Sequence, residues 1–181
     1  MTVMFGRTCG RAYVWAGVSL AALVGVSGCT GSPSYEIPET LCGRSIEPAS
    51  LRPLLSDGRK VVGKEQDRDE KFVRCAIFVD KDAVLMISEY RDHHRFDIAE
   101  YKKERHVTED PVDSKVPGES VIYDGGFVSM NPCPARGEKS NYILDITLTR
   151  SPEDGKRLRK ELEAFAASYL PEGLKAMGCV K

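Results

Sequence analysis

No two cysteines in this chain stand at C-x-x-C spacing, which removes the usual signature of a zinc site and of thioredoxin-like redox chemistry. There is no Gly-x-Ser-x-Gly elbow for a serine nucleophile, no Walker phosphate loop and no dinucleotide fingerprint. Neither sign of charge is in excess. Lys and Arg number 26, Asp and Glu 27, and a net charge of -1 offers no basic footprint for nucleic acid. Long apolar runs are also missing. Ala12 to Gly25 is short and glycine-broken, against roughly 20 residues for a comfortable membrane span. No internal repeat is visible, and the 181 residues suit one domain.

Hydrophobic residues make up 41% and charged residues 29%, so a globular core is expected. The first 28 residues read differently. Arg7 and Arg11 give a charged start, Ala12 to Gly25 is uncharged and mostly apolar, and Val26-Ser27-Gly28 are small residues before Cys29. That order is the order of a secretory signal, and the absence of a twin-arginine pair favours the general secretory route. Cleavage there would remove Arg7 and Arg11 and leave the exported part more acidic.

Val26-Ser27-Gly28-Cys29 resembles the lipobox of bacterial lipoproteins. The resemblance implies a diacylglycerol on the Cys29 thiol and cleavage just before it. Each buried methylene contributes about 0.8 kcal/mol, and two acyl chains make membrane residence effectively stable where one does not. The expected organisation is a signal peptide over 1–28, a lipidated cysteine and tether over 29–40, and one globular domain over 41–181. Thr30 to Pro38 (TGSPSYEIP) carries small, polar and proline residues and reads as tether.

Six cysteines are present. Cys9 falls in the signal and Cys29 takes the lipid. Cys42, Cys75, Cys133 and Cys179 remain, and an even number in an exported domain reads as two disulfides. Three pairings are open. Cys42–Cys75 with Cys133–Cys179 is favoured, because Cys75 shares a strand face with Val73, Ile77 and Val79 and Cys42 precedes a short helix that should cover that face.

The expected fold is α+β: an antiparallel sheet of about five or six strands, with a C-terminal helix and a short N-terminal helix on one face. Phe72–Asp80 and Ala83–Arg91 form the clearest hairpin, apolar on both faces and therefore central. Lys60–Gln66 reads as an edge strand weakened by Gly63. Asp124-Gly125-Gly126 joins Val121–Tyr123 to Phe127–Asn131. In Asn141–Thr149, Tyr142, Leu144, Ile146 and Leu148 should face the core and Asp145, Thr147 and Thr149 water. Ser151-Pro152 opens a last helix with a Leu158, Leu162, Phe165, Ala166, Tyr169 stripe, ended by Pro171. Asp92–Arg105 reads as a surface helix, and His106–Ser120 as a long irregular loop of the kind that is functional or disordered.

Chemistry-bearing clusters are few. Asp92-His93-His94, with His106 as a distant third, is the best metal candidate, but sequence neighbours point different ways and Arg91 and Arg95 would repel a cation. Glu65, Asp67, Asp69, Glu70, Glu100, Glu104, Glu109 and Asp110 all lie in polar runs and read as surface acids rather than a catalytic pair. The Tyr123–Phe127 hairpin tip reads as turn geometry. No catalytic residue, metal or cofactor is assigned.

The chain is similar to the small four-cysteine lipoproteins of actinobacteria in Cys42-Gly43, Arg74-Cys75, Cys133-Pro134 and Cys179. That similarity implies fold and address, not activity. The function expected is a non-enzymatic binding or interaction module, lipid-anchored at the extracytoplasmic face of the cell membrane. Its partner would be an envelope protein or a small ligand, not nucleic acid. The alternatives are an envelope hydrolase with an unfamiliar site, and a sensor or accessory subunit of a membrane complex that makes contact through 106–120.

Overall fold

A computed structural model describes residues 35–95, 97, 98, 100, 111–149 and 152–180. Strands β1 (Thr40–Leu41) and β2 (Arg44–Ser45) form a small ribbon around Cys42-Gly43, both of which take positive φ, 48° and 72°. Helix α1 (Pro48–Leu51) runs into a 3-10 turn at Arg52–Leu54. Strands β3 (Val61–Arg68), β4 (Phe72–Val79) and β5 (Asp82–His93) follow as a meander. Strands β6 (Val112–Asp113), β7 (Glu119–Tyr123), β8 (Gly126–Pro132) and β9 (Asn141–Leu148) form a second one. Helices α2 (Pro152–Arg157) and α3 (Arg159–Ala176) complete the described fold.

The two meanders join edge to edge. The order is β3-β4-β5-β9-β8-β7-β6, and every neighbouring pair is antiparallel. The α+β class with an antiparallel sheet and a C-terminal helix therefore holds. The strand number does not: seven strands plus the two-stranded ribbon exceed the five or six expected. The surplus comes from elements of two residues. Val112 and Asp113 pair with Ile122 and Val121 inside the stretch read as irregular loop, and two residues carry no periodicity to detect.

One face of the sheet holds the main core. Period-two alternation puts Val73, Cys75, Ile77 and Val79 of β4 on it, Leu85 and Ile87 of β5, Tyr142, Leu144, Ile146 and Leu148 of β9, and Phe127 of β8. Leu158, Leu162, Phe165, Ala166 and Tyr169 of the last helical stretch pack against them, with Leu51 and Leu54 from the N-terminal segment. Tyr35 and Ile37 also lie in this core, so the packed domain begins inside the stretch read as tether. Two apolar residues spaced by one polar residue are strand-like burial in a segment too short to show it.

Two further expectations change. Pro171 does not end the helix; α3 runs through it to Ala176. A proline inside a helix costs about 3 kcal/mol. Here it sits on the exposed side, while Gly173, Met177 and Cys179 beyond it are buried and hold the last turns down. Asp145 does not face water but is buried on the other side of β9. That side carries a second apolar cluster of Val128, Met130, Ile143 and Ile98, flanked by Tyr90, Val121 and Tyr123. Residues 101–110 lie outside the described part, as do half of the expected Asp92–Arg105 helix and His106; β5 itself extends to His93.

The four cysteines expected in the domain form two bridges. Cys42 and Cys75 are joined with sulfurs 2.01 Å apart, tying the ribbon to β4. Cys133 and Cys179 are joined at 1.96 Å, tying the end of β8 to the turn that follows α3. Gly63 of β3 has a role here. A Cβ at that position would come within 3.0 Å of Leu41 Cβ and 3.2 Å of Cys42 Sγ, so its lack of a side chain lets the ribbon lie across the edge strand.

Candidate functional site

The most ordered polar arrangement is inside the protein. Glu89 of β5 shares its sheet face with Leu85 and Ile87, is 1% exposed, and stands beside Leu144 of β9. Three elements converge on it. Arg44 of the ribbon places Nε 3.1 Å from Oε2 and 3.4 Å from Oε1, and its Nη2 lies 3.0 Å from Oε2 without hydrogen-bond alignment. Tyr142 of β9 donates its hydroxyl to Oε1 at 2.9 Å, and Tyr169 of α3 donates to Oε2 at 3.1 Å.

The chemistry of this cluster follows from its burial. Desolvation first, and the Glu89 charge second, push both phenols well above their ordinary range, so they stay protonated and act as donors. Arg44 supplies the counter-charge that a buried carboxylate needs. Gly173 closes the lid. A Cβ there would fall 2.1 Å from Tyr142 Oη and 2.9 Å from Glu89 Oε1, so α3 reaches the cluster only because residue 173 has no side chain. All four side chains are buried, and the cluster joins ribbon, sheet and helix rather than opening to a cleft.

A surface feature lies elsewhere. A groove of about 620 Å³ runs between the β6–β7 edge and the corner where α2 meets α3. Val112 and Ile122 form an apolar strip in it; Lys115, Lys156, Arg157, Arg159 and Lys160 supply positive charge, and Asp113, Glu161 and Glu163 negative. Arg159 pairs with Asp124 of the β7–β8 turn and Arg157 with Asp154. Glu163 is held from both sides: the Ser114 hydroxyl and the Lys115 backbone N–H each donate to it at 2.7 Å, and in that order they hold its carboxyl below the usual range. Among the described residues no salt bridge is formed by Lys156 or Lys160, and with Asp113, Glu161 and Glu163 also in the lining the groove carries mixed charge.

The other residues singled out from sequence are dispersed. His93 and His94 are exposed, with His93 Nδ1 2.7 Å from the His94 carbonyl oxygen, and His106 is outside the described residues. No group of three or more metal-binding side chains occurs among the described residues. Glu65 pairs with Arg68 on the exposed edge strand, and that hydrogen bond lowers its pKa. Asp69 accepts from the Lys71 backbone N–H, and Glu70 is 78% exposed. Glu104, Glu109 and Asp110 are outside the described residues. At the hairpin tip Phe127 enters the core, and a Cβ on Gly126 would collide with the Tyr123 ring. The carboxylate that matters was the one absent from the polar runs. Its signal is a glutamate on the Leu85–Ile87 face of an apolar strand. No helix among the described residues is long and apolar enough to cross a membrane. No protein-family model, curated protein or solved structure matches the chain.

Proposed function

We propose that this protein is a lipid-anchored extracytoplasmic module that works by binding rather than catalysis, held to the membrane by acyl chains on Cys29. The observation that carries the reading is the pairing of Cys42, Cys75, Cys133 and Cys179, the last three of them buried, into two disulfides. Such bridges form and persist in oxidising compartments, which agrees with an export signal ending at Cys29. Binding is favoured over catalysis because the unusual carboxylate, Glu89, is sealed by two phenols and an arginine as an internal clamp. The exposed groove beside α2 and α3, with its apolar strip and mixed charge, is the surface on which a partner would be recognised.

Intact mass of the membrane-extracted protein, before and after reduction, tests the reading. The expected result is loss of residues 1–28, added diacyl mass on Cys29, and no free thiol until reduction. A Cys29→Ala protein that stays in the membrane fraction as firmly as wild type, or native protein with four free thiols, would overturn it.

A further inference from the structure

The two bridges differ in what covers them. Cys133 and Cys179 are 0% and 1% exposed and Cys75 is 3% exposed, whereas Cys42 is only half-buried. Backbone bonds also close around the Cys133–Cys179 pair: the Cys133 N–H donates to the Ser140 carbonyl and the Cys179 N–H to the Leu174 carbonyl, both at 2.8 Å. Cys42 instead sits at the tip of the ribbon in the left-handed region, φ 48°, a conformation that is unfavourable for a residue with a side chain. Of the two bridges, Cys42–Cys75 is the one a thiolate can reach, and exposed disulfides are the more easily reduced.

The ribbon held by that bridge covers two things. It crosses edge strand β3 at Gly63. Asp80 N–H donates to the Lys60 carbonyl, and in an antiparallel ladder alternate residues turn their backbone groups to the same neighbour. Val62 and Lys64 therefore turn theirs to β4, and Val61, Gly63 and Glu65 turn theirs to the open edge that the ribbon crosses. The ribbon also carries Arg44 onto Glu89. Its remaining hold on the core is through Leu41 and Ile46, one buried residue on either side of the Cys42–Arg44 tip.

We propose that Cys42–Cys75 is a redox-operated latch: a dithiol reductant opens it ahead of Cys133–Cys179, and the ribbon then lifts from β3 and takes Arg44 off Glu89. A reductant thiolate attacks Cys42 Sγ, the bond to Cys75 breaks, and Cys75 leaves as a thiolate that takes up a proton. The second thiolate of the reductant then displaces Cys42 from the mixed disulfide in the same way. Both electrons come from the reductant, which ends as its own disulfide, and the protein gains two thiols. The cellular reductant implied is a protein dithiol of the disulfide-exchanging class. Lifting the ribbon opens the β3 edge, and it admits water to a carboxylate that is sealed in the oxidised protein. None of this depends on the lipid at Cys29.

The test has two stages. The full chain is titrated with dithiothreitol at neutral pH without denaturant and trapped with N-ethylmaleimide, and each cysteine is assigned by peptide mass spectrometry. Cys42 and Cys75 are expected to be trapped several-fold faster than Cys133 and Cys179. Opening of Cys133–Cys179 first, opening of both bridges at one rate, or opening of neither until urea is added overturns the proposal. Hydrogen exchange of the partly reduced protein then reads the ribbon, with a Cys42→Ser/Cys75→Ser protein as a form free of any alkyl group in the core. Exchange should quicken several-fold over residues 39–46, while β9 and α3 keep their protection. Unchanged exchange over 39–46 would show that Leu41, Ile46 and Arg44 hold the ribbon without the bridge, and the latch would fail. Protection lost throughout the sheet in both forms would show a staple of the whole fold, and the latch would fail equally.

Discussion

Replacing Arg44 by Met removes the only cation bonded to Glu89 among the described residues and leaves the carboxylate buried with two phenol donors. Breaking one side of a buried ion pair costs about 3–5 kcal/mol, because the remaining charge has lost both water and partner. In a domain of this size 1 kcal/mol moves the melting temperature by about 2–4 °C, so the expected fall is about 10 °C. Glu89→Gln should cost a similar amount for the mirrored reason, since Arg44 is only 6% exposed and would be stranded as a cation. Gln keeps one acceptor oxygen and turns the other into an NH2 donor, so one of the two phenols also loses its acceptor and the cost includes a hydrogen bond as well as the charge. The double variant Arg44→Met/Glu89→Gln strands neither charge and should recover much of the loss, giving a coupling of about 2 kcal/mol or more. Urea unfolding of the oxidised protein, followed by far-UV circular dichroism with unchanged m, supplies the numbers. Single costs that add to within about 0.5 kcal/mol in the double variant would show that the pair is not coupled in the core, and the clamp would have to be abandoned.

The Gly173→Ala protein tests the lid. Helix propensity alone would stabilise it by up to about 1 kcal/mol, whereas a Cβ 2.1 Å from Tyr142 Oη should produce a net loss of about 1–3 kcal/mol, partly restored by Tyr142→Phe. A higher urea midpoint for Gly173→Ala would contradict the packing. Glu163 makes a pH prediction. Its folded pKa is depressed by the Ser114 hydroxyl and then by the Lys115 N–H. Its contribution is therefore present above the unfolded carboxyl value and lost as pH falls through the folded one. Glu163→Gln should flatten the acid limb of the stability curve, and urea midpoints that decline with the same slope in both proteins would refute it.

The hairpins were legible because alternation and turn chemistry are local. Phe72–Val79 and Asp82–His93 each bury one face per period, and Asp124-Gly125 stands where the Tyr123–Gly126 pair closes. The cysteine pairing was readable only through that alternation, which put Cys75 on the face that the N-terminal segment covers. What escaped depends on distance. Arg44 meets Glu89 across 45 residues, and nothing near it marks it as buried. Glu89 lies outside the charge-dense runs, and a lone acid on an apolar strand face is a stronger sign of a paired interior charge than an acid within such a run. Pro171 misled for the opposite reason. A correct local rule was overridden by tertiary burial on either side of it.

The ribbon shows how these pieces depend on one another. Two strands of two residues each cannot hold themselves together in water. The ribbon is kept on the sheet by Cys42–Cys75, by the approach over Gly63, and by Arg44 on Glu89. If the bridge is what brings Arg44 to its carboxylate, the two constraints cannot be independent. A bridge across 33 residues contributes about 4 kcal/mol in the chain-entropy account, so Cys42→Ala/Cys75→Ala should be strongly destabilised on its own. In that background the ribbon already spends part of its time off the sheet, and Arg44→Met removes a contact that is only partly made. The expected cost of Arg44→Met is then well below its value in the bridged protein. An undiminished cost would mean that the apolar anchors Tyr35, Ile37 and Leu41 seat the arginine by themselves, and that the bridge stabilises only by shortening the unfolded chain.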